Sequence, residues 1–253
     1  MFSRSVRFAL IVAVCAATTS LTSVSHALPP TELIGDGNAE PMKDAATIST
    51  TKWGYRYRAG QQNSHLVITQ VGDQVRYVDT GTKELREIPG SCRREQASRG
   101  IAVSCTVPAK YSPSNPIFLE VWPRLGDDFV DGSDLSATFR LWALVDAGRD
   151  TVFGGAGDDF VNGAQDGDRV RGGPGKDWLR TGIGNDVLWG GTGNDRLVAL
   201  DGADDLHGGE GDDQVSGANG NDELWGGAGA DRVSCGSGSD TAWLDSADKA
   251  IDC

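Results

Sequence analysis

Gly190-Gly191-Thr192-Gly193-Asn194-Asp195-Arg196-Leu197-Val198 is one of eleven nine-residue units that follow one another without a break over residues 145–243. The sixth residue of every unit is aspartate: Asp150, Asp159, Asp168, Asp177, Asp186, Asp195, Asp204, Asp213, Asp222, Asp231 and Asp240. Two residues after each comes Val152, Val161, Val170, Leu179, Leu188, Leu197, Leu206, Val215, Leu224, Val233 or Ala242. Two residues before it comes glycine in ten units, Asp166 being the exception. A unit reads as a glycine turn, a carboxylate, and a three-residue strand whose middle side chain points inward.

With one reliable inward residue in nine, a single unit cannot bury a core. Stacked units can, because inward Val and Leu from successive coils form one apolar column, as in other solenoids. Glycine permits the positive φ of tight turns and lets carbonyls converge, and the aspartate adds charge. Carbonyl and carboxylate oxygens are the set that calcium prefers, six to eight at about 2.3–2.6 Å. Residues 145–243 hold 17 Asp and 2 Glu against 7 Lys and Arg, a net of −12 beside −13 for the whole chain. Carboxylates on coils about 4.8 Å apart repel by roughly 3 kcal/mol at an effective dielectric near 20. A column of them requires a counter-charge. An acidic Gly/Asp tract without period would be read as disordered, and disorder is the expectation for the calcium-free state.

Residues 1–27 read as a secretory signal peptide: Arg4 and Arg7, an apolar stretch over residues 8–17, and Ser25-His26-Ala27 before cleavage. That stretch is too short to span a bilayer, and no membrane insertion is expected. Cys15 falls inside it; lipid modification there is the minor reading, since Val14 suits it poorly. Four cysteines remain, Cys92, Cys105, Cys235 and Cys253, an even number suited to an oxidising compartment. Three pairings are possible; the local one, Cys92 with Cys105 and Cys235 with Cys253, is favoured. The second bond would tie residues 244–253 back as a C-terminal cap. The acidic balance argues against nucleic acid as a partner.

Residues 28–51, with Pro29, Pro30 and Pro41, read as a flexible leader. Residues 52–121 show short alternating strands at 65–71, 74–79, 101–105 and 117–121, with turn signals between them. These predict a small antiparallel β unit stapled by a disulfide. Leu125-Gly126-Asp127-Asp128-Phe129-Val130 matches the repeat from its third to its eighth position, so residues 122–144 are read as an irregular first coil. Asp128 and Asp150 are 22 residues apart, eighteen plus four, and could share a further ion.

The nonapeptides resemble the hemolysin-type (RTX) calcium-binding repeat family over about half the chain. The whole plan is similar to that of small secreted bacterial calcium-binding repeat proteins. The resemblance implies an all-β fold, a parallel β-roll forming a two-sheet right-handed solenoid. It also implies two units per coil, so that residues eighteen apart stack. One edge would carry Asp150, Asp168, Asp186, Asp204, Asp222 and Asp240, the other Asp159, Asp177, Asp195, Asp213 and Asp231. With ions between stacked turns, five gaps and four gaps imply about nine calcium ions. Asp166, Ala199-Leu200 and Val145-Asp146 depart from the turn pattern, which weakens the sites that use them.

In that arrangement the ninth position of alternate units forms an outward column: Phe153, Arg171, Trp189, His207, Trp225 and Trp243. Its counterpart reads Asn162, Arg180, Val198, Ser216 and Ser234, an ordinary surface. The aromatic column is either a self-stabilising ladder, the favoured reading, or a platform for a cell-surface polysaccharide or protein. No HExxH or GxSxG motif occurs, and His65 reads as a structural residue at a strand start. A non-enzymatic, extracellular calcium-binding protein is expected. A calcium-dependent adhesin or polysaccharide-binding module is the runner-up, and a hydrolase within residues 53–121 a distant third.

Overall fold

The computed structural model describes residues 45–60 and 63–253. The expected signal peptide and residues 28–44 of the expected leader lie outside that set. Among the described residues every element is a β-strand. The first eight are β1 (Ala45–Thr50), β2 (Gly54–Arg58), β3 (His65–Val71), β4 (Gln74–Asp79), β5 (Glu84–Glu87), β6 (Cys92–Glu95), β7 (Ile101–Thr106) and β8 (Ile117–Arg124). The solenoid continues with β9 (Phe129–Asp131), β10 (Phe139–Val145), β11 (Thr151–Phe153), β12 (Phe160–Asn162), β13 (Arg169–Pro174), β14 (Trp178–Arg180), β15 (Val187–Thr192) and β16 (Arg196–Val198). It closes with β17 (Asp201–Gly202), β18 (Asp205–Glu210), β19 (Gln214–Gly220), β20 (Glu223–Ala228), β21 (Arg232–Gly238), β22 (Thr241–Trp243) and β23 (Lys249–Ile251).

Two sheets result. One runs β23-β21-β19-β16-β14-β12-β10-β8-β2-β1-β5, and the other β22-β20-β18-β15-β13-β11-β9-β3-β4-β7-β6. Within the roll each strand pairs in parallel with its equivalent eighteen residues away: Leu179 lies opposite Leu197, and Leu188 opposite Leu206. The β-roll expected from the repeat is therefore present, two units per coil. Val152, Val170, Leu188, Leu206 and Leu224 on one sheet and Val161, Leu179, Leu197, Val215 and Val233 on the other form its interior, each at most 1% exposed. Burying each such side chain contributes about 1.5–3 kcal/mol, and only stacking supplies the neighbours that bury it.

The N-terminal unit is built on antiparallel pairs, β1–β2, β3–β4, β4–β7 and β6–β7. It joins the roll through parallel pairs, β2 with β8 and β3 with β9, so each of its layers extends one sheet of the solenoid. Its core, including Tyr57, Ile68, Tyr77 and Leu119, is continuous with the roll's apolar column. An open strand edge at the first coil is thereby paired, which removes a template for unwanted strand addition.

Two local expectations differ from the structure. Residues 45–50 were expected in the leader but form β1, with Ala45, Ala46 and Ile48 buried. Small alanines carry little apolar signal, and pairing with β2 on one side and β5 on the other decides the outcome. The C-terminal segment does more than fold back: β23 pairs in parallel with β21 and extends one sheet. The end strand of the other sheet, β22, has no outer partner strand among the described residues. Both local disulfides are present, Cys92–Cys105 between paired strands β6 and β7, and Cys235–Cys253 between the last nonapeptide and the chain end.

Candidate metal centre

The glycine turn delivers each repeat aspartate to the margin of the roll at the start of its strand, so the carboxylates line up along two edges. On the first edge the amide of Asp150 donates to Oδ1 of Asp168 at 2.9 Å. The same bond recurs from Asp168 to Asp186, Asp186 to Asp204, Asp204 to Asp222 and Asp222 to Asp240, at 2.7–3.0 Å. On the second edge it runs from Asp159 to Asp177, Asp177 to Asp195, Asp195 to Asp213 and Asp213 to Asp231, at 2.7–2.8 Å. Asp128 joins the first column, its amide donating to Oδ1 of Asp150 at 2.8 Å. All twelve aspartates singled out from sequence therefore fall into two columns.

Sequence reasoning missed Asp248. The amide of Asp231 donates to its Oδ1 at 3.0 Å, so it extends the second column by one coil. Its spacing from Asp231 is seventeen residues rather than eighteen, which hid it. The signal was Ala250 two residues later, which takes the register position of Val233 as Ala242 takes that of Leu224.

The second carboxylate oxygen behaves differently. Oδ2 of Asp128, Asp150, Asp168, Asp177, Asp186, Asp195, Asp204, Asp213, Asp222 and Asp231 is buried without a hydrogen-bond partner. These residues are at most 2% exposed. Asp159 departs from the pattern, its Oδ2 accepting the Gly155 amide at 2.6 Å. An ionised oxygen buried without a partner is strongly unfavourable, so either a proton or a cation must complete each position. Burial is the main cause that lifts these carboxyls, with neighbouring aspartates adding to it in most. Asp195 is pushed up to about 6, Asp150, Asp159, Asp204 and Asp213 to about 7, Asp128 and Asp168 to about 8, and Asp177 to about 9.

Among the described residues no three His, Cys, Asp or Glu side chains converge as a cage. A hard cation would have to draw on backbone carbonyls as well, and the turns supply them. A Cβ on Gly190 would lie 2.5 Å from the Gly208 carbonyl oxygen of the next coil and collide with Asp195 Oδ2. A Cβ on Gly208 would lie 2.5 Å from Asp213 Oδ2. The first glycine of the turn thus leaves a recess lined by a carbonyl and the unpartnered carboxylate oxygen. That oxygen-only lining fits calcium.

The two edges are not alike. The first turn position on the second edge is always glycine: Gly154, Gly172, Gly190, Gly208 and Gly226. On the first edge it is Val145, Gly163, Thr181, Ala199, Gly217 and Cys235. Val145, Thr181, Ala199 and Cys235 are all buried, so a side chain takes up that recess in these coils. Asp166 and Ala218, both on the first edge, also hold positive φ values of 67° and 76° that glycine would adopt without strain. Every recess on the second edge is free of side chains; several on the first are not.

Residues 145–170, 171–206 and 207–242 match the family profile described as the RTX calcium-binding nonapeptide repeat (4 copies). This part of the chain consists of RTX repeats. No curated protein and no solved structure matched the chain in the comparisons. The RTX stretch ends before Asp248, so the carboxylate column outruns the repeat by one coil. At its other end the first RTX column is closed by the N-terminal unit. The Ser64 amide donates to Asp128 Oδ1 at 2.5 Å, while the Ser64 hydroxyl donates to buried Asp79 at 2.6 Å. Burial opposes ionisation of Asp79, but hydrogen bonds from Ser64, Thr82, Tyr57 and His65 outweigh it and hold the carboxyl below its ordinary range.

On the outer face of the RTX repeats, the rings of Trp189, His207, Trp225 and Trp243 stack parallel along the roll axis. Their centroids are 5.9, 4.2 and 4.0 Å apart. The faces are turned to one another and the edges to solvent, which is the geometry of a ladder. Phe153 belongs to a separate cluster with Phe129, on which exposed His65 also stacks. Arg171, in register between Phe153 and Trp189, makes no cation–π contact among the described residues. A second aromatic run, missed in the sequence because it occupies the seventh rather than the ninth repeat position, joins Trp142, Phe160 and Trp178 on the opposite sheet.

Proposed function

We propose that this chain is a secreted, non-enzymatic protein whose RTX roll binds about nine calcium ions between stacked turns and folds as it binds them. Asp150, Asp168, Asp186, Asp204, Asp222 and Asp240 would hold ions on one edge, and Asp159, Asp177, Asp195, Asp213 and Asp231 on the other. Asp128 and Asp248 would each add one position. The observation that carries this reading is the row of buried, unpartnered Oδ2 atoms that runs from Asp128 to Asp222 on one edge and from Asp177 to Asp231 on the other. Bound divalent cations would supply the positive charge this row lacks. The residues of this chain do the rest: amides orient Oδ1, glycines expose carbonyls, and the Val/Leu column spaces the turns. Because each ion would be shared by adjacent coils, binding should be cooperative. The disulfides and the expected signal peptide support an extracellular setting, where calcium sites of this type work at about 10⁻⁴–10⁻³ M.

The test is calcium titration at neutral pH, followed by calorimetry and far-ultraviolet circular dichroism. The expected result is uptake of about nine ions by the regular roll, and up to about eleven with the Asp128 and Asp248 positions, together with a coil-to-strand transition. Identical spectra in excess chelator and in millimolar calcium would remove the coupled-folding half of the proposal. A stoichiometry near zero would remove all of it.

The polysaccharide-platform reading of Phe153, Trp189, His207, Trp225 and Trp243 is less well supported. A sugar stacks on ring faces, and within the ladder those faces are occupied by neighbouring rings.

A further inference from the structure

The aromatic column is interrupted once, at Arg171, and the interruption has features that the ladder does not. Arg169 and Arg171 are alternate residues of β13, so both project from the same outer face. Both side chains are exposed, and among the described residues neither guanidinium group has an acidic partner. Arg56, Arg76, Arg140 and Arg149, by contrast, each pair with a carboxylate.

The neighbours frame the two guanidinium groups. Strand register sets Thr151 and Val187 on either side of Arg169, and Phe153 and Trp189 on either side of Arg171. A depression of about 450 Å³ is lined by Thr151, Phe153, Arg169, Val170, Arg171 and Trp189. A second, of about 490 Å³, adjoins it at Phe153 and Arg171, with Gly154, Gly155 and Gly173 contributing to its wall. Trp189 turns one face to His207. Because the stack runs along the roll axis, its other face is turned toward the coil of Arg171.

We propose that this depression binds a carboxylate-bearing saccharide, the acid group held by Arg169 and Arg171 and a sugar ring against the free face of Trp189. Charge limits the ligand's size and density. Asp131 lies beyond Phe153 in the same column, and Asp205 beyond Val187 in the neighbouring one. The cationic patch is therefore short, suited to one or two acid groups. A polyphosphate such as nucleic acid would overrun it into the acidic surroundings of a chain of net charge −13. The inference does not depend on what occupies the turns, because neither arginine belongs to a carboxylate column.

The test uses the full chain in millimolar calcium, titrated with hyaluronan tetrasaccharide and followed by nuclear magnetic resonance at the Trp189 indole and the arginine Nε–H groups. Chitotetraose supplies the uncharged saccharide and tetraglutamate the acidic peptide. The expected result is saturable shifts at Trp189, Arg169 and Arg171 with the first probe alone. Replacing both arginines, Arg169→Gln with Arg171→Gln, should weaken binding by about tenfold or more, while calcium stoichiometry and circular dichroism stay unchanged. Equal binding of chitotetraose, equal binding of tetraglutamate, or full retention of affinity in the double variant would each overturn the proposal. Loss of calcium response in the wild-type chain with these shifts intact would count against the calcium reading alone.

Discussion

The amide of Asp195 donates to Oδ1 of Asp213 at 2.7 Å, one coil further on, while Oδ2 of the same Asp213 carboxylate is buried with no partner. One oxygen aligns adjacent turns and the other carries the uncompensated charge. This division recurs along both edges and ties backbone register to charge neutralisation. A roll that loses its counter-charge must protonate these carboxyls or separate its coils.

That choice sets the pH dependence of the calcium-free chain. Its carboxyls are raised in the folded state, so their contribution to stability is full below the ordinary carboxylate range and is lost as pH rises through the folded values. From Asp195 near 6, Asp204 and Asp213 near 7, Asp168 near 8 and Asp177 near 9, that loss spans roughly pH 4 to 9. In chelator, circular dichroism should show strand structure near pH 4 and its loss above neutrality. A chelated roll that is more stable at pH 8 than at pH 4 would contradict this.

The unlike edges predict unlike mutants. Gly190→Ala places a methyl group between the Gly208 carbonyl and Asp195 Oδ2, and should raise the calcium midpoint severalfold. Ala199→Gly on the first edge should leave the midpoint unchanged or lower it, despite glycine's backbone cost of about 0.5–1 kcal/mol. Equal weakening by both substitutions, measured by calcium titration, would show that the first turn position does not discriminate between the edges.

Replacing Cys235 and Cys253 together by serine frees the strand that brings Asp248 to Asp231. A bond closing an eighteen-residue separation contributes about 3 kcal/mol through the unfolded chain. The variant should melt earlier in calcium and take up about one ion fewer. An unchanged stoichiometry would exclude Asp248 from the bound set.

Trp225 stacks on His207 and Trp243 at 4.2 and 4.0 Å. Each aromatic pair contributes about 0.5–1.5 kcal/mol beyond its buried area, so Trp225→Ala should destabilise the calcium-loaded chain by about 1–3 kcal/mol. Thermal melting reads this directly. A variant that melts like the wild type but no longer binds a glycan would reinstate the platform reading.

Much of the molecule was legible before any coordinates. The strict period marked eleven aspartates, the partial match at residues 125–130 added Asp128, and the resemblance to RTX repeats, with two units per coil, sorted them into two columns. Period and chemistry act locally here: a glycine turn, an acid and one inward residue specify each unit. Strands His65–Val71 and Gln74–Asp79 were legible too, through alternation and a Gly-Asp turn. Strand β1 was not, because Ala45 and Ala46 become core residues only through β2 and β5, distant partners that no local pattern announces.

The sequence by itself determined the repeat, its inward column and the acid surplus, and favoured the local cysteine pairing, because each depends on residues close along the chain. Only the tertiary structure decided three other features. It brought Asp248 into the carboxylate column, turned the tryptophan faces against one another, and left Arg169 and Arg171 exposed without acidic partners among the described residues. Those outcomes depend on which coil lies beside which, and on the direction in which rings and charged groups project once the coils are stacked.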